Sequence, residues 1–409
     1  GIDNNLSLEG KRKEIQKSKY GVSENRSKLL PQITVIAGYN NNFDPPVSVT
    51  DGSSYGVPYN ITKTLQHTAN AGLEMQMPLF NQTLYTSMSI AKVMEEISRL
   101  SYGKAREDII MQISKMYYLG QVTAEQIVLI KANITRLEEL RDITQAFFDN
   151  GMSMEVDLKR VNINLENLKV QYDNAQAMMK QQLNMLKYIM DYPAEKEFVL
   201  TPVNTDSITT VALTGLSENI YELQLSQSQV QLAEKQKKII SNGYIPSLSL
   251  TGSWRYAAYT DKGYHWFHSG PSNHWFRSYG LGLTLRIPIF DGLDKTYKIK
   301  KAMIDIENSK LAWENARKSL QTQYLNAVND LMNNQRNFKK QKDNYLLAED
   351  VYTVTSDRYR EGIASMTEVL QDEMQMSEAQ NNYISAHYNY RITNLMLLKL
   401  TGQIESLVK

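Results

Sequence analysis

Apolar positions recur every seven residues along two well-separated stretches of the chain. Leu158, Leu165, Tyr172, Met179 and Leu186 make one row, and Val369, Met376, Tyr383, Tyr390 and Leu397 make another, each member 211 positions after its counterpart. A further row, Leu331, Phe338, Tyr345, Tyr352 and Tyr359, runs up to Gly362, and Ile127, Ile134 and Phe148 hold the matching places before Gly151. A seven-residue repeat keeps one face of a helix toward a partner helix. The pattern predicts long helices over Thr83–Phe148 and Leu293–Tyr359, each about 100 Å long at 1.5 Å per residue. Each ends near a glycine suited to a C-terminal cap and turn, and a shorter helix returns through Leu186 or Leu397. On these helices alone, an ordinary soluble coiled-coil hairpin accounts for the pattern equally well.

Ahead of the long helices the period changes to two. In PQITVIAGYN, Ile33, Val35, Ala37 and Tyr39 alternate with Gln32, Thr34 and Asn40; in TANAGLEMQM, Ala69, Ala71, Leu73, Met75 and Met77 alternate with Asn70, Glu74 and Gln76. SLSLTGSWRY and YGLGLTLRI repeat this in the second half, with Leu248, Leu250, Trp254 and Tyr256, then Tyr279, Leu281, Leu283, Leu285 and Ile287, on the apolar side. Such alternation marks strands with one apolar and one polar face, and ten-residue segments of this kind are the mark of transmembrane β-barrels. Pro31 and Pro246 are expected to open the first strand of each pair, and Pro78 and Pro288 to close the second. The chain therefore reads as two copies of one unit, residues 1–205 and 206–409, each with a helix, a β-hairpin (about 31–80 and 246–290), a long helix and a returning helix. The helix ending at LLPQ is expected to be shorter than the one ending at YIPS.

Four strands cannot close a barrel, and open strand edges are not tolerated in lipid, so the strands must come from several chains. Two chains would give eight strands, whose interior fills with side chains; three would give twelve and a usable lumen.

Composition narrows the function classes. The 45 basic and 44 acidic residues nearly cancel, which argues against nucleic acid as a partner. No run of eighteen apolar residues marks a membrane helix. Cysteine is absent, which removes thiolate metal sites and cysteine nucleophiles. No phosphate loop, metal-ligand motif or nucleophile–base set is present, so no catalysis and no cofactor are expected.

The duplicated unit, the proline-entered hairpins, MPLFN (77–81), IPIFDG (287–292) and the turns around Gly151 and Gly362 resemble the TolC family of outer-membrane channels over almost the whole chain. The resemblance implies an α+β membrane protein: a homotrimer with a twelve-stranded β-barrel in the outer membrane, continuous with a twelve-helix α-barrel in the periplasm. Residues near 192–218 and after Leu400 would form an equatorial belt. It implies a passive export duct of a tripartite efflux pump or type I secretion system in a Gram-negative bacterium. The partners would be a periplasmic adaptor, an inner-membrane transporter and outer-membrane lipid. The competing reading is a structural or adhesive coiled-coil envelope protein.

The resemblance also assigns residues. The turns with Phe148, Gly151, Ser153, Gly362 and Ser365 would form the periplasmic tip and meet the adaptor. Glu368 would supply an acidic ring inside the tip; the family's second acid falls at Gln371, with Asp372 beside it. Asp157 would accept a hydrogen bond from Tyr359 and hold the tip shut. The family's arginine two residues after the second glycine is Ala364 here, with Arg360 as a possible substitute. Two other clusters carry less. His265, His268 and His274 could bind a metal, although their aromatic neighbours fit an extracellular loop at the membrane interface better. Asp44-Pro45-Pro46 and the run to Tyr59 read as the other extracellular loop. Glu138 and Glu139, with Arg136 and Arg141, read as a solvated helix face.

Overall fold

The structure, a computed structural model, describes residues 2, 4–201, 215–260 and 275–408. In chain order come α1 (Leu6–Ser27), β1 (Gln32–Asn41), β2 (Val47–Asp51), β3 (Tyr59–Lys63), β4 (His67–Phe80), α2 (Gln82–Asp149) and α3 (Glu155–Ile189). They are followed by α4 (Tyr221–Ser241), β5 (Ser247–Thr260), β6 (Trp275–Arg286), α5 (Asp294–Arg360) and α6 (Met366–Leu400). The long helices of 68 and 67 residues occupy the predicted stretches. α1 has 22 residues and α4 has 21, so the expected shortfall of the first helix is not observed. Two compact units are formed, one from Gln16–Glu96 and Ser228–Lys310, the other from Gly1–Ile15, Ile97–Gln227 and Leu311–Lys409.

The first of these units carries an antiparallel sheet in the order β1-β4-β5-β6. Its register keeps the period-two pattern in phase across all four strands. Val35 lies opposite Leu73, Leu73 opposite Trp254, and Trp254 opposite Tyr279. Val35, Tyr279, Leu281 and Leu283 stand exposed on this face. On the other face the row Thr34, Glu74, Ser253, Gly280 is polar or bare, and Arg255 Nη2 donates to Glu74 Oε1 at 2.6 Å. β1 and β6 are the sheet's two edges.

Pro31 and Pro246 immediately precede β1 and β5, and Pro288 lies two residues past β6. Pro78 differs from expectation: β4 continues through it to Phe80, with a shift of register between Pro78 and Phe80. Proline lacks the N–H for a regular ladder but is accommodated at such an irregularity. The segment read as an extracellular loop contains a strand pair of its own. β2 and β3 pair as a hairpin, with Val49 opposite Ile61, because alternating β-branched residues there suit a strand pair.

In the helical unit the row Val369, Met376, Tyr383, Tyr390 and Leu397 is buried throughout. The α5 row interleaves with it: Phe338 stacks on Tyr383 and Tyr390 at 5.8 Å each, and Tyr345 on Tyr383 at 5.7 Å. Each returning helix buries a second row beside the first. In α3 this is Val161, Leu168, Ala175, Gln182 and Ile189; in α6 it is Met366, Glu373, Gln380, His387 and Asn394. Two polar members of the α6 row find partners on α2: Asn133 Nδ2 donates to Gln380 Oε1 at 2.7 Å, and His387 Nδ1 lies 3.2 Å from Glu125 Oε2. After α6 the chain turns through Ile404–Val408, and Ile404 is buried with Ile110, Met111 and Leu395. Residues 202–214 of the expected belt segment at 192–218, and His265, His268 and His274, lie outside the described residues.

Candidate functional site

The two glycine turns of the helical unit have the same construction. At the first, Gly151 N–H donates to Phe148 O at 2.9 Å and Met152 N–H to Phe147 O at 2.8 Å. At the second, Gly362 N–H donates to Tyr359 O at 2.9 Å and Ile363 N–H to Arg358 O at 2.8 Å. These paired bonds are the Schellman closure of a helix C-terminus. It requires a left-handed residue, and the glycines adopt φ of 72° and 77°, where a side chain would be strained. Met152, Met154 and Ile363 project from the turns with 68%, 70% and 62% exposure, which makes this end apolar where polar loops are the rule.

The helices that leave the turns begin differently. Ser365 caps α6: Glu368 N–H donates to Ser365 Oγ at 3.3 Å, and Ser365 N–H donates to Glu368 Oε2 at 2.7 Å. These bonds, with the Ser365 hydroxyl donating to the same carboxylate, hold the Glu368 carboxyl below the ordinary carboxylate range. Glu368 is thus engaged in a capping box, a role already spelled by the S-x-x-E spacing. Asp372 follows one turn along α6 and is half-buried. In the equivalent place before α3 stands Met154, which has no side-chain cap, and Ser153 Oγ is shielded from solvent without a partner among the described residues.

Asp157, Tyr359, Gly151, Gly362 and Ser365 line one groove between the turns. The Tyr359 hydroxyl, however, donates to Thr144 Oγ1 on α2 at 3.3 Å. Its ring packs on Phe147, with centroids 5.6 Å apart. Asp157 instead accepts from Arg160 at 3.3 Å on its own helix. The hydroxyl follows the buried seam, where Thr144 has no exposure at all, rather than the more open carboxylate. The charged residues read as a solvated face are likewise engaged: Arg136 Nη1 donates to Glu349 Oε1 at 3.1 Å, and Arg360 Nη2 to Glu139 Oε2 at 3.4 Å. Both pairs join α2 to α5, so three polar links cross this seam close to the turns. Sequence reasoning missed Thr144 because a lone threonine within a helix carries no signal of its own.

The chain matches the outer membrane efflux protein family over residues 2–190 and 204–403. The outer membrane protein TolC of Vibrio cholerae is 21% identical over 396 residues, covering 94% of this chain and 84% of the relative. A probable efflux pump outer membrane protein of Pseudomonas putida, TtgC, is 23% identical over 382 residues, covering 88% of this chain and 75% of the relative. Among solved structures, the CusC channel superposes with a TM-score of 0.81 at 15% identity, covering 98% of this chain and 90% of CusC. The outer membrane protein VceC of Vibrio cholerae superposes with a TM-score of 0.78 at 14% identity, covering 98% and 94%. At such identities the superpositions establish the fold, and the family match establishes the class. The chain belongs to the outer membrane efflux protein family: it is an efflux channel of the Gram-negative outer membrane and not an enzyme.

Proposed function

We propose that three copies of the chain close a twelve-stranded barrel, continuous with a helical tunnel in the periplasm, and form the exit duct of a tripartite efflux pump. The observation that carries this reading is the four-stranded sheet whose edges, among the described residues, are β1 and β6, with one exposed apolar face and one polar face. Lipid tolerates the apolar face but not the edges, so β1 of one copy pairs with β6 of the next. Three copies give a lumen that two would fill. The chain is read as a duplication meeting near residue 205. The apolar turns at Phe148, Gly151, Ser153, Gly362 and Ser365 then form the tip, where an adaptor linked to an inner-membrane transporter docks. Tyr359 and Asp157 lie in the gate, and Glu368 with Asp372 supplies three copies of an acidic ring. Detergent-corrected light scattering and liposome conductance test the assembly. A conducting trimer supports it, and a monodisperse monomer that conducts overturns it.

A further inference from the structure

The four-stranded sheet carries few charges. Among the described residues, those on its polar face are Glu74, Arg255 and Arg286, set there by the pairing of Glu74 with Ser253, Gly72 with Arg255 and Ser247 with Arg286. Arg277 belongs to the other face, opposite Tyr256. Arg286 ends β6, roughly 20 Å along the strand from Gly280. Glu74 and Arg255 meet: Arg255 Nη2 donates to Glu74 Oε1 at 2.6 Å. They are diagonal neighbours across β4 and β5, a spacing that long side chains bridge.

The surface around the pair is bare. Gly72 stands opposite Arg255, where a Cβ would lie 2.8 Å from the Arg255 Cα and 2.5 Å from the Trp254 carbonyl oxygen. Gly280 lies opposite Ser253, and a Cβ there would meet nothing within 4 Å. Gln32, Thr34, Gln76 and Thr251 line the same recess and bring no charge to it. The Arg255 and Glu74 side chains are 45% and 44% exposed, and an ion pair so open to solvent adds little to stability. What it does set is the potential over this face. Two opposite charges in contact cancel at a distance, whereas either one alone would gather ions of the other sign.

We propose that Glu74 and Arg255 make the barrel lumen indifferent to the sign of a solute's charge. This role rests on the three-copy duct proposed above, in which the polar face of the sheet lines the lumen. Three pairs then form a belt of zero net charge. A passing anion exchanges onto Arg255 and a passing cation onto Glu74, so charged solutes of both signs leave by the same route. Three carboxylates alone would hold cations and repel anions, and three guanidinium groups would do the reverse. Discrimination by charge is thereby left to other parts of the duct.

The chain has no cysteine, so Ser253→Cys places a sole thiol directly opposite Glu74. Its rates of modification by an anionic and a cationic methanethiosulfonate, each divided by the rate with free mercaptoethanol, report the local potential in the purified full chain. With the pair intact the two normalised rates should agree. Arg255→Gln should favour the cationic reagent roughly fivefold at low salt, the effect of a unit charge one side chain away in water. Glu74→Gln should favour the anionic reagent by as much, the double variant should return to parity, and molar salt should remove both biases. A bias already present with the pair intact, or single variants that show none, overturns the proposal. Conductance in planar bilayers is read separately: a bulky neutral maleimide on the same thiol should lower it. Unbiased rates with blocked conductance reject the neutral belt and leave the duct standing. Biased rates with conductance untouched by the label place the pair outside the conduction path, which rejects the duct at this sheet and the belt with it.

Discussion

The Tyr359 hydroxyl donates to Thr144 Oγ1, and Thr144 donates in turn to the Leu140 carbonyl at 2.7 Å, so a phenol on α5 is tied to the backbone of α2 through one hydroxyl. Tyr359→Phe keeps the ring against Phe147 and removes the donor. It should weaken the α2–α5 seam by about 0.5–1.5 kcal/mol and raise resting conductance in planar bilayers. Thr144→Val should do the same. Tyr359→Phe with Asp157→Ala should go further and admit large solutes. Asp157→Ala equalling Tyr359→Phe would instead point to a carboxylate partner in the assembled channel.

The α6 cap separates two roles of one residue. Ser365→Ala removes the acceptor for Glu368 N–H and should cost about 0.5–2 kcal/mol, read as faster amide exchange in the first turn of α6. Glu368→Gln keeps a capping box, since glutamine serves at that position, but removes the charge. It should leave exchange nearly unchanged while weakening cation selectivity in single-channel recordings. Unchanged selectivity rejects the acidic ring.

The two faces of the sheet make opposite demands. Leu283 is 67% exposed on the apolar face, so Leu283→Arg should cost about 2–4 kcal/mol near the bilayer midplane and deplete heat-modifiable oligomers in outer membranes. Ser253 lies on the polar face between Glu74 and Gly280. Ser253→Arg should assemble normally and shift only conductance.

Glu107 is buried, and burial first, then the neighbouring Asp108 and Glu405 charges, push its carboxyl up to about 7 against the pull of Lys399. A native state that holds a proton the unfolded chain has released loses stability as pH rises. The loss therefore accumulates from about 4.5, the ordinary value, to about 7. Glu107→Gln should melt above wild type at pH 7.5 and converge with it toward pH 4.5. A constant gap across that range would show that ionisation is not the cause.

Features with a strong apolar signature were legible in the sequence: the seven-residue rows, the alternating strands, the glycine turns. What escaped was polar and buried. The second α6 row of Glu373, Gln380, His387 and Asn394 has the same spacing as its apolar neighbour. It carries no hydrophobic signal, because its burial is sustained by partners such as Asn133 and Glu125 on a helix far away in sequence. Arg136 likewise had acidic neighbours that suggested a wet surface until Glu349 was brought opposite it, whereas Glu139 does stay exposed beside Arg360. Pro78 was misplaced for a different reason: a ladder irregularity is a property of two strands, and one strand's sequence does not contain it.

The pairing of β4 with β5, from His67 opposite Thr260 to Phe80 opposite Leu248, also sets an order of events during synthesis. The α2–α3 hairpin closes over a short turn and can form as soon as it emerges. The β1–β4 pair must wait, with one edge open, until α2, α3 and α4 have been made and β5 emerges. Contacts of such sequence separation form slowly, and open edges are prone to wrong partners in the interval. The β1–β4 pair, whose β4 becomes an inner strand, is thus the sheet's most vulnerable part before completion, and a holdase acting on this chain has most to protect there.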